Sequence, residues 1–287
     1  MRYFENDNEK CQPEHLRTST AVPSVSETFI VLMITVAFII LTTFLFFTLS
    51  RVFDLDPSSF LLIEALIIVP AFIFGKVKGY SLRRIFRMNS INARQLMVTI
   101  VIGISLILVI NALENWMQNL LQSSSQPEWY QDMKANVELG ILRSLTINSV
   151  YRFFSTVIAV VLFAAVGEEM LFRGFIQQTF ENRMSKGWSV FLTAFMFAIL
   201  HPFSLIPIMV LAVILGVMSL RSNSIFPAII IHGMNNGISL AAFNVRDTIQ
   251  SNPGEAISVS PVLLLFSLLT LIVSFKYYLR ITRGQEE

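Results

Sequence analysis

Val166-Gly-Glu-Glu-Met-Leu-Phe-Arg-Gly174 sets two adjacent carboxylates and a guanidinium inside an apolar run, with Ala164 and Ala165 before it and Phe175 and Ile176 after it. In a chain that is 54% hydrophobic and 14% charged, this stretch reads as part of a membrane segment. Insertion scales put such charges at roughly 2.5–3.5 kcal/mol each at a helix centre. Each therefore needs a compensating partner, and the set asks for a function. The fold class that follows is all-α: a polytopic membrane protein with about eight transmembrane helices enclosing a polar intramembrane cavity.

Working outward, the apolar runs fall at about Phe29–Leu49, Phe60–Phe74, Leu96–Leu113, Phe153–Phe180, Trp188–Leu200, Phe203–Leu220, Phe226–Phe243 and Val259–Leu279. A straight crossing needs about 20 apolar residues, so the second and fifth are short. The long fourth run carries the charges. Residues 1–27 are polar, mixed in charge and broken by Pro13 and Pro23. They read as a cytosolic tail with no cleavable signal, in which Cys11 and His15 are surface residues. A single transmembrane domain is expected over 28–280, with its chemical core at about 153–243, and a second short cytosolic tail over 281–287.

Charge sets the orientation. Lys76, Lys78, Arg83, Arg84, Arg87 and Arg94 crowd the second-to-third connection, which the positive-inside rule places in the cytoplasm. Alternation then gathers 15 basic residues on that side and five on the other, with both termini cytoplasmic and the cell membrane as the expected location. The longest insertion, Trp116–Ser149, contains an amphipathic stretch, Trp129–Leu145, expected to lie along the outer interface on Trp116, Trp129 and Tyr130. A lone cysteine excludes an internal disulfide. A net charge of +2 gives no reason to invoke nucleic acid, and oligomeric state is not legible.

Four polar features inside the apolar runs call for explanation. Glu169 and Arg173 are spaced i, i+4, the spacing of a helical ion pair, while Glu168 lies about 100° round the helix. One carboxylate is thus neutralised and the other left available. In Phe197-Ala-Ile-Leu-His201-Pro202 the proline ends or kinks the helix at His201, at membrane depth, where irregular backbone is tolerated when it lines a cavity. His232 and Asn236 share a face at i, i+4, and Gly233 with Gly237 forms a small-xxx-small pair for close helix approach. Glu64, near the outer end of the second run, reads as structural.

A Glu and a His facing one poorly hydrated cavity can activate a water, the carboxylate as general base and the imidazole assisting. A second His and an Asn amide can donate to a developing oxyanion. That set suits amide or ester hydrolysis. No serine stands in a nucleophile setting and the HExxH motif is absent, although His201, His232 and Glu168 remain a chemically possible zinc set.

Glu168-Glu169-xxx-Arg173, Phe197-xxx-His201 and His232-xxx-Asn236, in that order along the fourth, fifth and seventh apolar runs, resemble the motifs of the CPBP family. These are the Abi-type intramembrane glutamic endopeptidases, which include the CAAX prenyl proteases and proteins linked to bacteriocin processing or immunity. The resemblance covers about Phe153–Phe243. It implies an eight-helix fold with a cavity open to the cytosol, and a metal-independent mechanism with no cofactor. It implies that Glu168 and His201 activate water, that His232 and Asn236 form the oxyanion site, and that Glu169, Arg173 and Phe197 support them. The implied partners are the lipid bilayer and a peptide or lipidated protein substrate. Two other classes stay open on the residues alone: a proton-coupled transporter using the same polar side chains as a relay, and a non-catalytic scaffold or immunity protein.

Overall fold

The structure, a computed structural model, describes residues 22–284 apart from 54, 62, 64–65, 124–125 and 250–258. Cys11, His15 and Glu64 lie outside the described residues. Among those described, the secondary structure is helical throughout, with no strand. Helix α1 is Val25–Phe53. Two 3₁₀ turns, Pro57–Leu61 and Leu66–Ile68, lead into α2, Val69–Val77. Then follow α3 (Ala93–Gln122), α4 (Glu128–Leu145), α5 (Val150–Glu181), α6 (Lys186–Ala198), α7 (Leu205–Ser222), α8 (Phe226–Ile249) and α9 (Pro261–Ile281).

Local chemistry explains the boundaries. Asn92 and Gln95 form a reciprocal capping box at the start of α3, with both side chain to backbone bonds at 2.9 Å. The Ser149 hydroxyl accepts from the Arg152 N–H at 3.1 Å to open α5. Helix α6 stops at Ala198, ahead of Pro202, and leaves His201 on the following turn as the spacing predicts. Asn223 closes α7 in the left-handed conformation, φ +48°.

Six helical stretches are long and apolar enough to cross a membrane: Val25–Phe53, Ser58–Val77, Ala93–Leu121, Val150–Glu181, Leu205–Ser222 and Pro261–Ile281. Two of the eight predicted runs are not among them. Helix α6 has 13 residues, about 20 Å at 1.5 Å per residue, against a hydrocarbon core of roughly 30 Å. Helix α8 has the length, but His232, Gly233, Asn235 and Asn236 interrupt its apolar character. The membrane-crossing helices keep large apolar side chains outward, such as Phe44 at 69% and Val262 at 80% exposure. Such exposure is what a lipid solvent rewards. The protein is an integral membrane protein.

The connections gather at two ends. At one, Lys78 pairs with Glu27 at 3.2 Å, Arg87 pairs with Glu181, the Asn89 amide donates to the Asn223 carbonyl at 2.8 Å and Arg221 reaches the Leu279 carbonyl at 3.5 Å. At the other, Arg152 pairs with Asp56 at 3.0 Å, the Asn244 amide donates to the Leu145 carbonyl at 3.1 Å and Gln118 donates to the Phe203 carbonyl at 3.3 Å. Helix α4 buries none of its residues, with Trp129 67% exposed and Tyr130 against Phe203 at 5.7 Å.

Two packed clusters flank α7. In one, Leu171, Phe172, Phe175 and Ile176 of α5 meet Ala71, Phe86, Phe197 and Ala212. In the other, Ile102 and Leu106 of α3 meet Leu211, Leu215, Ile231 and Tyr278. The candidate site lies on the α5–α7–α8 side of this packing.

Candidate active site

Helix α5 does not wind uniformly. It is α-helical over Val150–Thr156, widens to π-helix over Val157–Ala164, returns to α over Ala165–Glu169, widens again over Met170–Ile176 and closes as α over Gln177–Glu181. π windings are rare and concentrate at functional sites. Here they flank the two glutamates on both sides. The first presents the Val160 carbonyl to the Asn236 side-chain amide, which donates to it at 2.9 Å.

Glu169 and Arg173 make the expected pair: Arg173 Nη1 donates to Glu169 Oε1 at 3.0 Å, with both side chains sealed from the surface. Arg173 Nη2 donates to the Ala212 carbonyl of α7 at 3.3 Å. Its guanidinium lies 4.6 Å from the centroid of the Phe197 ring, a cation–π contact worth about 2 kcal/mol when desolvated. An arginine buried in a membrane protein is thus given a carboxylate, a carbonyl and an aromatic face.

Local spacing does not reveal the further partner of Glu169. The same Oε1 lies 2.8 Å from Nδ1 of His232, 63 residues on in α8. With a carboxylate as acceptor, Nδ1 carries the proton. The ring is thereby turned so that Nε2 faces Glu168 Oε2 at 3.8 Å. That separation is beyond a direct hydrogen bond. Glu168 keeps 17% of its side chain exposed against 0% for Glu169. The carboxylates are divided as the spacing predicts, one held by Arg173 and the other at the open side.

His201 follows α6 with its Nδ1 3.1 Å from the Phe197 carbonyl. A carbonyl only accepts, so Nδ1–H donates and Nε2 is left for other work. The Phe197 ring is the common neighbour: its centroid lies 4.9 Å from His201, 5.9 Å from His232 and 5.0 Å from Phe172. This one aromatic residue spaces both histidines and the guanidinium. The structure therefore brings Glu168, Glu169, Arg173, Phe197, His201 and His232 into one cluster, with Asn236 a helical turn from His232 and bonded to α5.

The predicted close approach at α8 is present. A Cβ on Gly233 would meet the Val161 carbonyl oxygen at 3.1 Å, and one on Gly237 would touch the Val161 methyls at 3.7 Å. Gly174 carries a tighter constraint that no sequence motif singles out. A Cβ there would come within 2.8 Å of the Phe86 Cα, so the helix beside Arg173 presses directly on the backbone after α2.

Glu114 of α3 is a further residue that the sequence motifs do not include. Its Oε1 accepts from Gln118 Nε2 at 2.8 Å and from the Ser204 hydroxyl at 3.1 Å. The turn carrying His201 is thus tethered to α3. The available signal was Asn111, Glu114 and Gln118 at helical spacing on an apolar helix, a polar stripe of the kind that marks a functional or pairing face.

Among the described residues no three His, Cys, Asp or Glu side chains come together as a metal-holding group.

Fold and cluster together define a helical integral membrane protein with a buried Glu–His–Arg core. Residues 151–238 match the family model described as type II CAAX prenyl endopeptidase Rce1-like, which bears out the resemblance to the CAAX-protease family read from the three motifs. The match spans every residue of the cluster, and the family it describes is one of proteases. No curated protein and no solved structure matches the chain.

Proposed function

We propose that this protein is an intramembrane glutamic peptidase that hydrolyses a peptide bond in a membrane-associated or lipidated peptide. The observation that carries this reading is the His232 ring, anchored through Nδ1 on Glu169 at 2.8 Å while Nε2 faces Glu168 at 3.8 Å. An ion pair serving stability alone has no need of a second carboxylate on the far side of the imidazole. In this mechanism Glu168 is the general base. It takes a proton from a water while the water oxygen attacks the scissile carbonyl carbon, and His201 Nε2 assists. His232 in its imidazolium form, with Nε2 protonated as well as Nδ1, and the second N–H of the Asn236 amide stabilise the oxyanion. Protonated Glu168 then returns the proton to the leaving nitrogen.

The proposal includes the membrane arrangement. Helices α6 and α8 lie in the bilayer with the six longer stretches, completing eight passes around a polar cavity. Residues 28–280 form one domain with its core at 153–243, and both termini face the cytosol at the cell membrane. The alternation of connections between two ends supports the eight passes, and the basic loop 76–94 supports the orientation. The short α6 places His201 and its irregular turn within reach of Glu168. No observation favours a transporter or a scaffold over this reading.

The test is cleavage of lipidated and plain peptides by purified protein, with mass spectrometry of the products. Glu168→Gln and His201→Ala are expected to abolish cleavage while helicity and detergent-unfolding midpoints stay near wild type. Turnover by folded Glu168→Gln at the wild-type rate would refute the assignment.

A further inference from the structure

A second polar site lies at the end of the bundle that gathers Glu27, Arg87 and Asn223. A cleft of about 460 Å³ is lined there by Arg83, Arg84, Arg87 and Lys186, with Glu181 as its acidic residue. Arg87 is buried at 5% exposure and its guanidinium is committed to Glu181, which also accepts from Gln177 Nε2 at 2.9 Å. The carboxylate is therefore neutralised from within. Arg83 and Arg84 are exposed and make no ion pair among the described residues, and Lys186 is exposed beside them. The backbone shapes the cleft: Arg87 sits in the left-handed region at φ +49°, uncommon for a side chain of this size. Its carbonyl accepts from the Ile225 N–H at 3.1 Å. That bond joins the basic turn after α2 to the junction of α7 and α8.

Depth argues for what fills it. Lys186 opens α6, and two residues later Trp188 is 61% exposed and edge-on to Phe191 at 5.6 Å. An exposed tryptophan at a helix start marks the headgroup level of a bilayer. Phe29 and Ile30 of α1 are 53% and 56% exposed, a few residues from Val22, which also lines the cleft. Cationic side chains thus adjoin lipid-facing apolar surface at interfacial depth, the chemistry that recognises an acidic headgroup.

We propose that this cleft is a binding site for a phosphate ester anion, met as the headgroup of an anionic phospholipid. Arg83, Arg84 and Lys186 supply the charge, and the Arg87–Glu181 pair holds the site's shape. The site is separate from the Glu168 cluster and does not depend on the peptidase reading.

The experiment is native mass spectrometry, with titration in nanodiscs, of full-length protein with phosphatidylglycerol against phosphatidylcholine. Inorganic phosphate serves as a soluble competitor. Wild type is expected to retain phosphatidylglycerol selectively. Removing two interfacial charges in Arg83→Gln/Arg84→Gln should weaken retention about 30-fold at low salt, and Arg280→Gln, outside the cleft, should not. Binding that survives millimolar inorganic phosphate supports the lipid as the source. Displacement by phosphate, with the same dependence on Arg83 and Arg84, supports a free phosphate ester at the same site. Equal retention by the double variant and wild type, or an equal loss in Arg280→Gln, overturns the proposal. Both arginines are exposed, so circular dichroism of the double variant should match wild type and keep the comparison clean.

Discussion

The Glu169–Arg173 pair offers a prediction that separates architecture from chemistry. Arg173→Met removes the Nη1 bond to Glu169, the Nη2 bond to the Ala212 carbonyl and the cation over Phe197, while roughly conserving side-chain length. Its larger effect is on what remains. Glu169 is 0% exposed, and its Oε2 already has no hydrogen-bond partner. Without Arg173, His232 alone faces the carboxylate. Stranding one member of a buried pair costs about 3–5 kcal/mol. Glu169→Gln strands the guanidinium in the same way and should cost a similar amount. The double variant Glu169→Gln/Arg173→Met buries no uncompensated charge. It should therefore be less destabilised than the two singles summed, with a coupling of about 2–3 kcal/mol. The assay is equilibrium unfolding in mixed detergent and SDS, followed by helicity. Additivity within about 0.5 kcal/mol, or a cost under about 1 kcal/mol for Arg173→Met, would mean that the pair does not hold α5 in place, and the reasoning would fail.

Other outcomes follow from the same geometry. Gly174→Val drives side-chain atoms into the Phe86 backbone, since a Cβ alone would already come within 2.8 Å of the Phe86 Cα. A loss of about 1–3 kcal/mol or more should appear as a lowered unfolding midpoint, whereas Gly187→Ala, with nothing within 4 Å, should not lower it. Glu114→Gln keeps an oxygen for Ser204 and Gln118 and should retain most peptidase turnover, while Glu114→Leu should cut kcat about 10–100-fold, the size of one lost hydrogen bond to a charged group, with little change in KM. Asp56 is pushed up by burial, but hydrogen bonds from the Ser58 hydroxyl and N–H and from Arg152 outweigh this and hold its carboxyl below the ordinary 3.8. A depressed native pKa stabilises above the unfolded value and is lost as pH falls through the native one. Asp56→Asn should therefore be less stable than wild type at neutral pH, by under about 1 kcal/mol because the group is partly exposed, and that gap should close as pH falls through the lowered native value; a gap that persists once the carboxyl is protonated would contradict the assignment.

Much of this molecule is legible locally. Long apolar runs give the helices because burial in lipid depends on composition. The i, i+4 spacing gives the Glu169–Arg173 pair, and Pro202 gives the position of His201. Gly233 and Gly237 announce a close crossing because only a missing side chain permits it. What escapes local reading depends on pairs distant in sequence. Nothing near Glu169 indicates that His232 will share its oxygen. Nothing near Gly174 indicates that Phe86 will lie against it. The π windings of α5 are invisible to a reading that assumes one helical period. The Glu114 tether combines both difficulties, since its stripe is readable but its partner Ser204 is 90 residues away.

The windings of α5 bear on how this chain can change over evolutionary time. Each π turn closes its hydrogen bonds on the fifth residue rather than the fourth, so it accommodates a residue that an α-helix would have no place for. Deleting one residue between Met170 and Ile176 would let the helix tighten to the regular form. Everything beyond the deletion would then swing by about 100° relative to Glu168. Arg173, Gly174 or Gln177 would face away from its partner even though every remaining side chain was unchanged. Length in this segment is thus a constraint of its own: losing a single position would put the two halves of the cluster out of phase.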